Sequence, residues 1–374
     1  MKDHLSKKDI PLGLPDIRND DIERVVKVLQ SGNLVQGSEV AELEGDLSHF
    51  CSSDYASVVS SGTASLHLAL VALGIGQGDE VIVPAFSFIA TANVVELVGA
   101  SCVFVDIDLR TFNIDESLLP NKITSKTKAI IPVHEFGLCA NMDAIMEIAN
   151  KYNLKVIEDA ACALGSYYNN KHAGTFGDFG SFSFHPRKSV TSGEGGCLIT
   201  NDPFLNEQVK VLRNHGIATD KIPMDFTMAG FNYRLTDIQA ALLFAQLERL
   251  QDALKHKEKL AFIYLNEIDQ DAVALPWQPP NTKHAWQTFH VLLPSNEDRE
   301  QLKSYLKSKG VMTNYGAQCI PSMSYYDKKY NLNAELSFPN AYKAYHCGLA
   351  IPIYTKLQEQ QVKYISDTIN NYFK

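Results

Sequence analysis

The sequence predicts an α/β protein with a mostly parallel sheet flanked by helices, followed by a smaller α+β unit. Helical periods alternate with short β-branched runs from about residue 20 to residue 250, which is typical of a parallel sheet with crossover helices. The chain has 374 residues, more than the roughly 250–300 at which one hydrophobic core stops growing. Its 45% apolar and 21% charged residues are those of a globular protein. We therefore predict two domains, residues 1–250 and residues 251–374.

Helices and strands follow one another in the first domain. A helix is predicted to begin at Asp21 and to end at Ser31-Gly32, where glycine favours a helix stop. A second helix is predicted in SSGTASLHLALVALG, because its apolar residues recur at helical spacing and Gly74 follows them. Six short strands, each bounded by turn residues, are predicted in chain order at EVIVP, CVFVD, AIIPVH, LKVIED, SFSFH and GCLIT.

A long helix is predicted to join the two domains. Thr236 and Gln239 form a T-x-x-Q capping box at its start, and apolar residues continue at helical spacing as far as Leu254. The second domain is predicted to contain the strand FHVLL, the helix DREQLKSYLKSKG, the strands VMTNY and AIPIY, and a last helix capped by Thr355 with Gln358. This mixture indicates a small α+β unit.

Composition argues against several classes of protein. The formal charge is −9, from 34 basic and 43 acidic residues without a dense basic cluster, so we expect no nucleic-acid partner. No run of about 18 apolar residues occurs, so we expect no membrane span. The seven cysteines are scattered and form no C-x-x-C pair, which predicts reduced thiols rather than a disulfide framework or a metal site. We therefore expect a cytoplasmic protein without a bound metal.

The turn Ser61-Gly62-Thr63 directly opens the second predicted helix. Several free backbone N–H groups and the positive end of the helix dipole therefore face one spot, and such a spot suits a phosphate group. An ordinary helix cap is the alternative interpretation, because serine and threonine cap many helices.

Two further segments carry reactive side chains. VIEDAACALGS ends a predicted strand with Glu158 and Asp159, at the carboxyl edge where α/β sheets place ligands, and only one of these adjacent carboxylates can easily point into the crevice. SFSFHPRKSVTSGEGG carries Lys188 on the loop that leaves the following strand. A lysine amine in a partly desolvated pocket can form a Schiff base with an aldehyde. Taken alone, Asp159 could cap a helix and Lys188 could lie on the surface.

Together these groups are the three contacts that pyridoxal 5′-phosphate needs. The helix start suits its phosphate, a carboxylate facing the pyridine nitrogen keeps that nitrogen protonated, and a lysine bonds to the aldehyde carbon. Phe88, just after a predicted strand, supplies an aromatic ring to stack on the cofactor. The sequence therefore predicts a pyridoxal-phosphate site built on Lys188 and Asp159.

The same segments resemble the DegT/DnrJ/EryC1/StrS family of pyridoxal-phosphate-dependent sugar aminotransferases, which has the aspartate-aminotransferase fold. The resemblance spans nearly the whole chain and rests on SSGTASLHLAL, GDEVIVPAFSFIATAN, VIEDAACALGS, SFSFHPRKSVTSGEGG and GFNYRLTDIQAAL. It implies a large cofactor-binding domain with a mostly parallel seven-stranded sheet. The cofactor-binding residues that it implies are Gly62, Thr63, Ala64, Phe88, Asp159, Ser183 and Lys188, with Asn232 of the partner subunit.

This last contact implies a homodimer with shared active sites, and twofold dimers are the commonest oligomers. His185 and Arg234 are candidate substrate-binding residues, although structural roles would also explain them. Cys162 departs from the family, because many relatives carry glutamine or histidine there, near the phenolic oxygen of the cofactor. Cysteine is a poor hydrogen-bond partner, so we expect Cys162 to make at most a weak contact with that oxygen.

The resemblance also implies the reaction, a transamination in which Lys188 is the catalytic residue. L-glutamate would donate the amino group, and a nucleotide-linked keto-sugar would accept it. The segments SFHPRK and HAWQTF resemble the subgroup that acts at C4 of 4-keto-6-deoxy sugar nucleotides. The alternatives are a pyridoxal-phosphate-dependent sugar dehydratase, a cyclitol aminotransferase, and a non-catalytic regulator with the same fold. Some dehydratases of the family replace the lysine with histidine, whereas this sequence keeps Lys188.

Overall fold

The structure, a computed structural model, describes residues 9–218 and 222–374. Residues 1–8 and 219–221, which the predicted first domain includes, lie outside this part of the chain. The helices of the described residues are α1 (Asn19–Ser31), α2 (Ser38–Cys51), α3 (Gly62–Ala72), α4 (Ala90–Leu97), α5 (Met142–Tyr152), α6 (Pro203–Arg213), α7 (Asp237–Glu248), α8 (Leu250–Glu267), α9 (Asn296–Ser308), α10 (Ser324–Tyr330), α11 (Ala334–Ser337), α12 (Pro339–Cys347) and α13 (Glu359–Phe373).

The strands of the same residues are β1 (Tyr55–Val59), β2 (Glu80–Pro84), β3 (Phe86–Ser87), β4 (Ser101–Val105), β5 (Thr127–Ile130), β6 (Lys155–Asp159), β7 (Tyr167–Tyr168), β8 (Lys171–His172), β9 (Phe179–Ser183), β10 (Gly196–Thr200), β11 (Thr282–Lys283), β12 (Phe289–Leu292), β13 (Gln318–Cys319) and β14 (Gly348–Ile351). Short 3₁₀-helices lie at Glu116–Lys122, Glu135–Gly137 and Ile320–Ser322.

Seven strands form one sheet in the order β1-β10-β9-β6-β5-β2-β4. Every pairing from β9 across to β4 is parallel, and only β10 runs antiparallel to its neighbours. The predicted fold class is therefore confirmed. The six strands predicted from the sequence correspond to β2, β4, β5, β6, β9 and β10. The sequence pattern does not predict β1, because its buried Ser57 interrupts the apolar run; the Ser57 hydroxyl lies 3.2 Å from Asn206 Oδ1 of α6.

Helices cover both faces of this sheet. Successive side chains of a strand point to opposite faces, and β2 shows the consequence. Val81 and Val83 pack in one core with residues of α3, whereas Ile82 packs in a second core with residues of α2. Because both faces are buried, the three middle residues of β2 are all apolar, as is usual in a parallel sheet covered on both sides.

A third core lies in the C-terminal part of the chain. There β12 pairs antiparallel with β14, and apolar residues of α8, α9 and α13 cover the pair. Ile10 belongs to this core and pairs with Val311, so the N-terminal residues pack on the C-terminal unit. We propose that the domains divide near residue 250, as the sequence predicts, with the residues around Ile10 added to the smaller one.

The predicted long helix is two helices. The Thr236–Gln239 capping box is present at the start of α7, as predicted, but α7 ends at Glu248 and α8 begins at Leu250. Arg249 between them leaves the helical conformation, and its guanidinium binds the Asp21 carboxylate and the Asp16 carbonyl oxygen. The prediction of one continuous helix was therefore wrong, because contacts with another segment override the local apolar spacing.

Two predicted features of the small domain are also wrong. Thr355 does not cap the last helix, since α13 begins at Glu359 with a capping box made by Gln358 and Gln361. The chain first closes a turn in which the N–H of Leu357 donates to the carbonyl of Tyr354 at 3.0 Å. The segment VMTNY is not a strand and makes only isolated bridges, one from Val311 and one from Asn314.

Two other features are absent from the described ranges. No helix there combines the length and the apolar content that crossing a membrane needs. No group of three or more histidine, cysteine, aspartate or glutamate side chains among those residues is placed to hold a metal ion. The seven cysteines are free thiols.

Candidate active site

A cavity of about 590 Å³ opens at the carboxyl ends of the parallel strands, where α/β sheets bind their ligands. Its volume lies within the range of small-molecule sites. Many separate segments meet on its wall, and four of them carry predicted site residues, which are Gly62, Thr63, Phe88, Asp159, Ser183, His185 and Lys188.

The start of helix α3 lines this cavity. Ser61 caps the helix, because its Oγ accepts a hydrogen bond of 3.0 Å from the N–H of Ala64. The N–H groups of Gly62 and Thr63 come before the first intrahelical hydrogen bond and have no partner within the helix. Gly62 also packs so closely on Ser183 that a Cβ atom at residue 62 would lie 2.9 Å from Ser183 Cβ. The helix start at Ser61, Gly62 and Thr63 and the Ser183 hydroxyl therefore lie side by side, an arrangement that can bind an anion and that we call the anion site.

Asp159 ends β6 and presents a buried carboxylate to the cavity. Thr91 Oγ1 donates to Asp159 Oδ2 at 2.8 Å, and the N–H of Ala161 donates to Oδ1 at 3.2 Å. Burial raises the pKa of this carboxyl group, while the two hydrogen bonds and the charge of Lys188 oppose that rise. A buried carboxylate of this kind stabilises a cation that lies against it.

Lys188 is partly buried and reaches the same cavity from the loop after β9. Its backbone N–H donates to the carbonyl of His185 at 2.8 Å, and its Nζ donates to Cys162 Sγ at 3.0 Å. Burial raises the pKa of the Cys162 thiol, with the charge of Lys188 acting in the opposite direction. Since a thiol is a weak acceptor, this contact leaves the amine able to bond to an aldehyde.

Glu158 points away from the cavity, which settles which of the two adjacent carboxylates faces it. Its two oxygens accept hydrogen bonds of 2.6–2.8 Å from the backbone N–H groups of Gly174, Phe176 and Gly177 and from His134 Nε2. Both Glu158 and His134 are fully buried. This carboxylate therefore holds the loop before β9 in place.

The sequence did not point to two buried ionisable side chains on the cavity wall. Burial, with the charge of Asp159 adding to it, raises the pKa of Glu135 to about 8. Burial lowers the pKa of Lys257 to about 7, and its Nζ donates to Ser189 Oγ at 2.7 Å. The position of Glu135 just beyond the strand AIIPVH could have indicated it. No sequence pattern indicates that Lys257 is buried, because a lysine within the polar helix segment KHKEKL is usually solvated.

Three predicted residues do not line the cavity of this chain: Ala64, Asn232 and Arg234. Ala64 lies behind the helix start, where its N–H is held by Ser61. Asn232 is exposed and forms a bridge with Asn214. Arg234 donates to Asn214 Oδ1 at 2.6 Å. Asn232 and Arg234 therefore lie together on a segment outside the cavity wall.

Known proteins with similar sequences or folds point to one family. The profile of the DegT/DnrJ/EryC1/StrS aminotransferase family matches residues 15–370. GDP-perosamine synthase of Escherichia coli O157:H7 is 36% identical over 367 residues, which cover 98% of this chain and 99% of that protein.

Two solved structures extend the comparison to the fold. Spr1654 of Streptococcus pneumoniae, in its PLP-form, has a TM-score of 0.92 at 30% identity, over 97% of this chain and 98% of that one. Helicobacter pylori PseC, an aminotransferase involved in the biosynthesis of pseudoaminic acid, has a TM-score of 0.92 at 28% identity, over 98% and 99% of the two chains. This chain therefore belongs to the DegT/DnrJ/EryC1/StrS aminotransferase family and is a pyridoxal-phosphate-dependent transaminase.

Proposed function

We propose that this enzyme moves an amino group from L-glutamate to a nucleotide-linked keto-sugar, an NDP-4-keto-6-deoxyhexose, in amino-sugar biosynthesis. The observation that supports it most is a single cavity lined by Lys188, Asp159 and the start of α3. An amine, a carboxylate and an anion site match the aldehyde, the ring nitrogen and the phosphate of the cofactor. The groups present therefore fit pyridoxal phosphate.

The proposed cofactor contacts divide by chemical type. Gly62 and Thr63, through their N–H groups, and Ser183, through its hydroxyl, bind the phosphate, and Ala64 supports them by holding the Ser61 cap. Phe88 is 55% exposed beside the cavity, so its ring is available to cover the face of the cofactor. When bound, pyridoxal phosphate supplies an aldehyde that takes up and returns the amino group, and a ring that accepts electrons.

Two side chains control protons in this proposal. Asp159 keeps a proton on the ring nitrogen, because a carboxylate favours the charged form of a facing base. Lys188 Nζ would bond to the aldehyde carbon of the cofactor, and as a free amine it would move a proton to and from the substrate carbon that carries the amino group. Its neighbour Cys162 is a weaker partner than a carboxylate would be, which leaves the amine free for this exchange.

The substrate class rests on sequence segments and on one relative. SFHPRK and HAWQTF resemble the subgroup that acts at C4. The relative GDP-perosamine synthase is named for a GDP-linked compound, which supports a nucleotide-linked substrate. His185 on the cavity wall is proposed to contact the substrate phosphates. Burial lowers the pKa of its imidazole, so the neutral ring would donate one hydrogen bond.

The proposed assembly is a homodimer in which Asn232 and Arg234 act in the neighbouring site, because both lie outside the cavity of their own chain. Mixing the variants Lys188→Ala and Asn232→Ala tests it. A mixed dimer would contain one site with both residues intact, so we expect amino transfer to return when two nearly inactive proteins are mixed. If Asn232 acted within its own chain, no intact site would form and mixing would restore nothing.

Absorbance measurements test the whole reaction. The purified protein is loaded with pyridoxal phosphate, L-glutamate is added, and then 4-keto-6-deoxyhexoses linked to dTDP, UDP or GDP are supplied, with a keto-cyclitol as the comparison. We expect glutamate to remove the visible absorbance of the lysine-bound cofactor and one of the nucleotide sugars to restore it. Restoration by the cyclitol alone, or no response to glutamate, contradicts the proposal.

A reducing compartment such as the cytoplasm is the expected location, because the cysteines are free thiols.

A further inference from the structure

Glu135 is a buried acid on the cavity wall with one oxygen that has no partner. The side chain is 5% exposed, and its Oε2 makes no hydrogen bond within the described residues. The backbone is fixed, because the N–H of Glu135 donates to Asn113 Oδ1 at 2.8 Å. An unsatisfied buried oxygen costs free energy, so this oxygen on the cavity wall calls for a partner from outside the chain, such as a bound ligand or water.

The turn that carries Glu135 is strained and packs against Cys162. Phe136 follows with φ of 56°, in the left-handed region that a phenylalanine rarely adopts, and Gly137 has φ of 100°. A Cβ atom at Gly137 would lie 2.9 Å from the carbonyl oxygen of Cys162. Non-glycine residues in this region cluster at functional sites. The fold therefore holds Glu135 in one place beside Cys162 at some conformational cost.

The sheet order places Glu135 on the opposite side of Asp159 from the anion site. In the order β1-β10-β9-β6-β5, the segments that carry Ser61 and Ser183 lie on one side of β6. Val133, two residues before Glu135, bridges to Asp159 from the other side. In pyridoxal phosphate the aldehyde carbon lies opposite the ring nitrogen, and the phosphate arm and the phenolic oxygen flank that carbon on its two sides. A phosphate at the anion site therefore turns the phenolic oxygen toward Glu135.

Other polar groups on that side are poor partners for a phenolic oxygen. Cys162 Sγ is a weak donor and already accepts from Lys188. Ser87 Oγ is hydrogen-bonded to Thr91 Oγ1 at 2.9 Å, and Thr91 in turn donates a hydrogen bond to Asp159. We propose that Glu135 is a cofactor-binding residue whose protonated carboxyl group donates a hydrogen bond to the phenolic oxygen of pyridoxal phosphate. This inference rests on the placement of the cofactor in the proposed function.

The charges around Glu135 are consistent with a protonated carboxyl group. The pKa of Glu135 is raised to about 8, first by burial and then by the charge of Asp159 on β6. Lys188, from the loop after β9, acts in the opposite direction. Below a pH of about 8 the carboxyl group therefore holds its proton and is a donor, whereas a carboxylate can only accept.

The test is the pKa of the lysine-bound cofactor, read from its absorbance as the pH is varied. Electron density on the phenolic oxygen stabilises the proton on the nitrogen that joins Lys188 to the cofactor, and a donor to that oxygen withdraws the density. Glu135→Leu removes the donor, so we expect this pKa to rise by about one unit. We also expect the dissociation constant for pyridoxal phosphate to rise roughly tenfold. Glu135→Gln keeps an N–H donor of the same shape and should leave the pKa nearly unchanged.

The matched control is Glu194→Leu, since Glu194 is a second acid on the cavity wall but belongs to the loop before β10, on the anion side of Asp159. It should not shift the cofactor pKa. Glu135→Met is a second apolar variant, and the Tm of each protein without cofactor checks folding. An unchanged pKa in folded Glu135→Leu or Glu135→Met overturns the inference. A lowered pKa also overturns it, because it would mean that Glu135 is an anion there.

Failure of the proposed function gives a different result. If wild type develops no visible absorbance with pyridoxal phosphate, or if Lys188→Ala retains it, the cofactor placement itself is wrong. If wild type titrates normally and only the Glu135 variants fail to shift the pKa, the placement of the cofactor stands and the role given to Glu135 is wrong.

Discussion

Lys188→Ala is expected to lower the rate of amino transfer by at least about 10³-fold, because the residue both bonds to the cofactor and moves the proton. The variant should still bind pyridoxal phosphate through Asp159 and the start of α3, but without the visible absorbance of the lysine-bound form. Single-turnover measurements with L-glutamate give the rate. A small primary amine added to the solution should restore part of it, since the alanine leaves room for an external base.

Lys257 offers a matched control for this prediction, because it is a second lysine on the same cavity wall. Its pKa of about 7 leaves a large uncharged fraction at neutral pH, so on pKa alone it could attack an aldehyde. Its Nζ, however, is hydrogen-bonded to Ser189 Oγ. We expect Lys257→Met to keep the visible absorbance. Loss of that absorbance in Lys257→Met, together with its retention in Lys188→Ala, would show that Lys257, and not Lys188, bonds to the cofactor.

The sequence predicts the sheet well where local patterns agree with the fold. The six apolar runs bounded by turn residues become buried strands, and the Thr236–Gln239 capping box begins a helix. Predictions fail where contacts between distant segments decide the structure. Arg249 breaks the predicted long helix because its guanidinium binds Asp16 and Asp21, far away in the sequence. The strand β1 is not predicted from the sequence, because Ser57 interrupts its apolar run. This serine can be buried only because its hydroxyl finds a hydrogen-bond partner in the distant Asn206.

The candidate site divides in the same way. Lys188 and Asp159 stand out in the sequence because each belongs to a motif at a strand end, and the structure brings both to one cavity. Glu135 and Lys257 do not stand out, because their unusual pKa values come from burial by elements distant in sequence. Asn232 could be linked to the site only through the family resemblance, since in its own chain it lies outside the cavity.

Asp159→Asn is expected to slow amino transfer by roughly 10²- to 10⁴-fold, since removing one charge from a buried ion pair costs about 3–5 kcal/mol. The asparagine Oδ1 can accept from the N–H of Ala161, and its Nδ2 can donate to Thr91 Oγ1, whose hydroxyl then donates to Ser87. A neutral amide, however, does not favour a proton on the ring nitrogen. Rates with L-glutamate and the absorbance of the bound cofactor measure the effect. The protein without cofactor should lose no stability, because burial already raises the pKa of Asp159 and disfavours its charge. An unchanged rate would mean that another group protonates the ring.

Glu158→Gln is the matched control, since the adjacent carboxylate differs in what it contacts. Glu158 accepts four hydrogen bonds from Gly174, Phe176, Gly177 and His134. A glutamine would turn its own N–H groups toward some of these donors, so we expect the free energy of unfolding to fall by about 3 kcal/mol in urea titrations. The folded fraction should still show the visible absorbance of the lysine-bound cofactor. Equal effects of both substitutions on stability and on rate would contradict the division of roles, in which Glu158 holds the loop and Asp159 faces the cofactor.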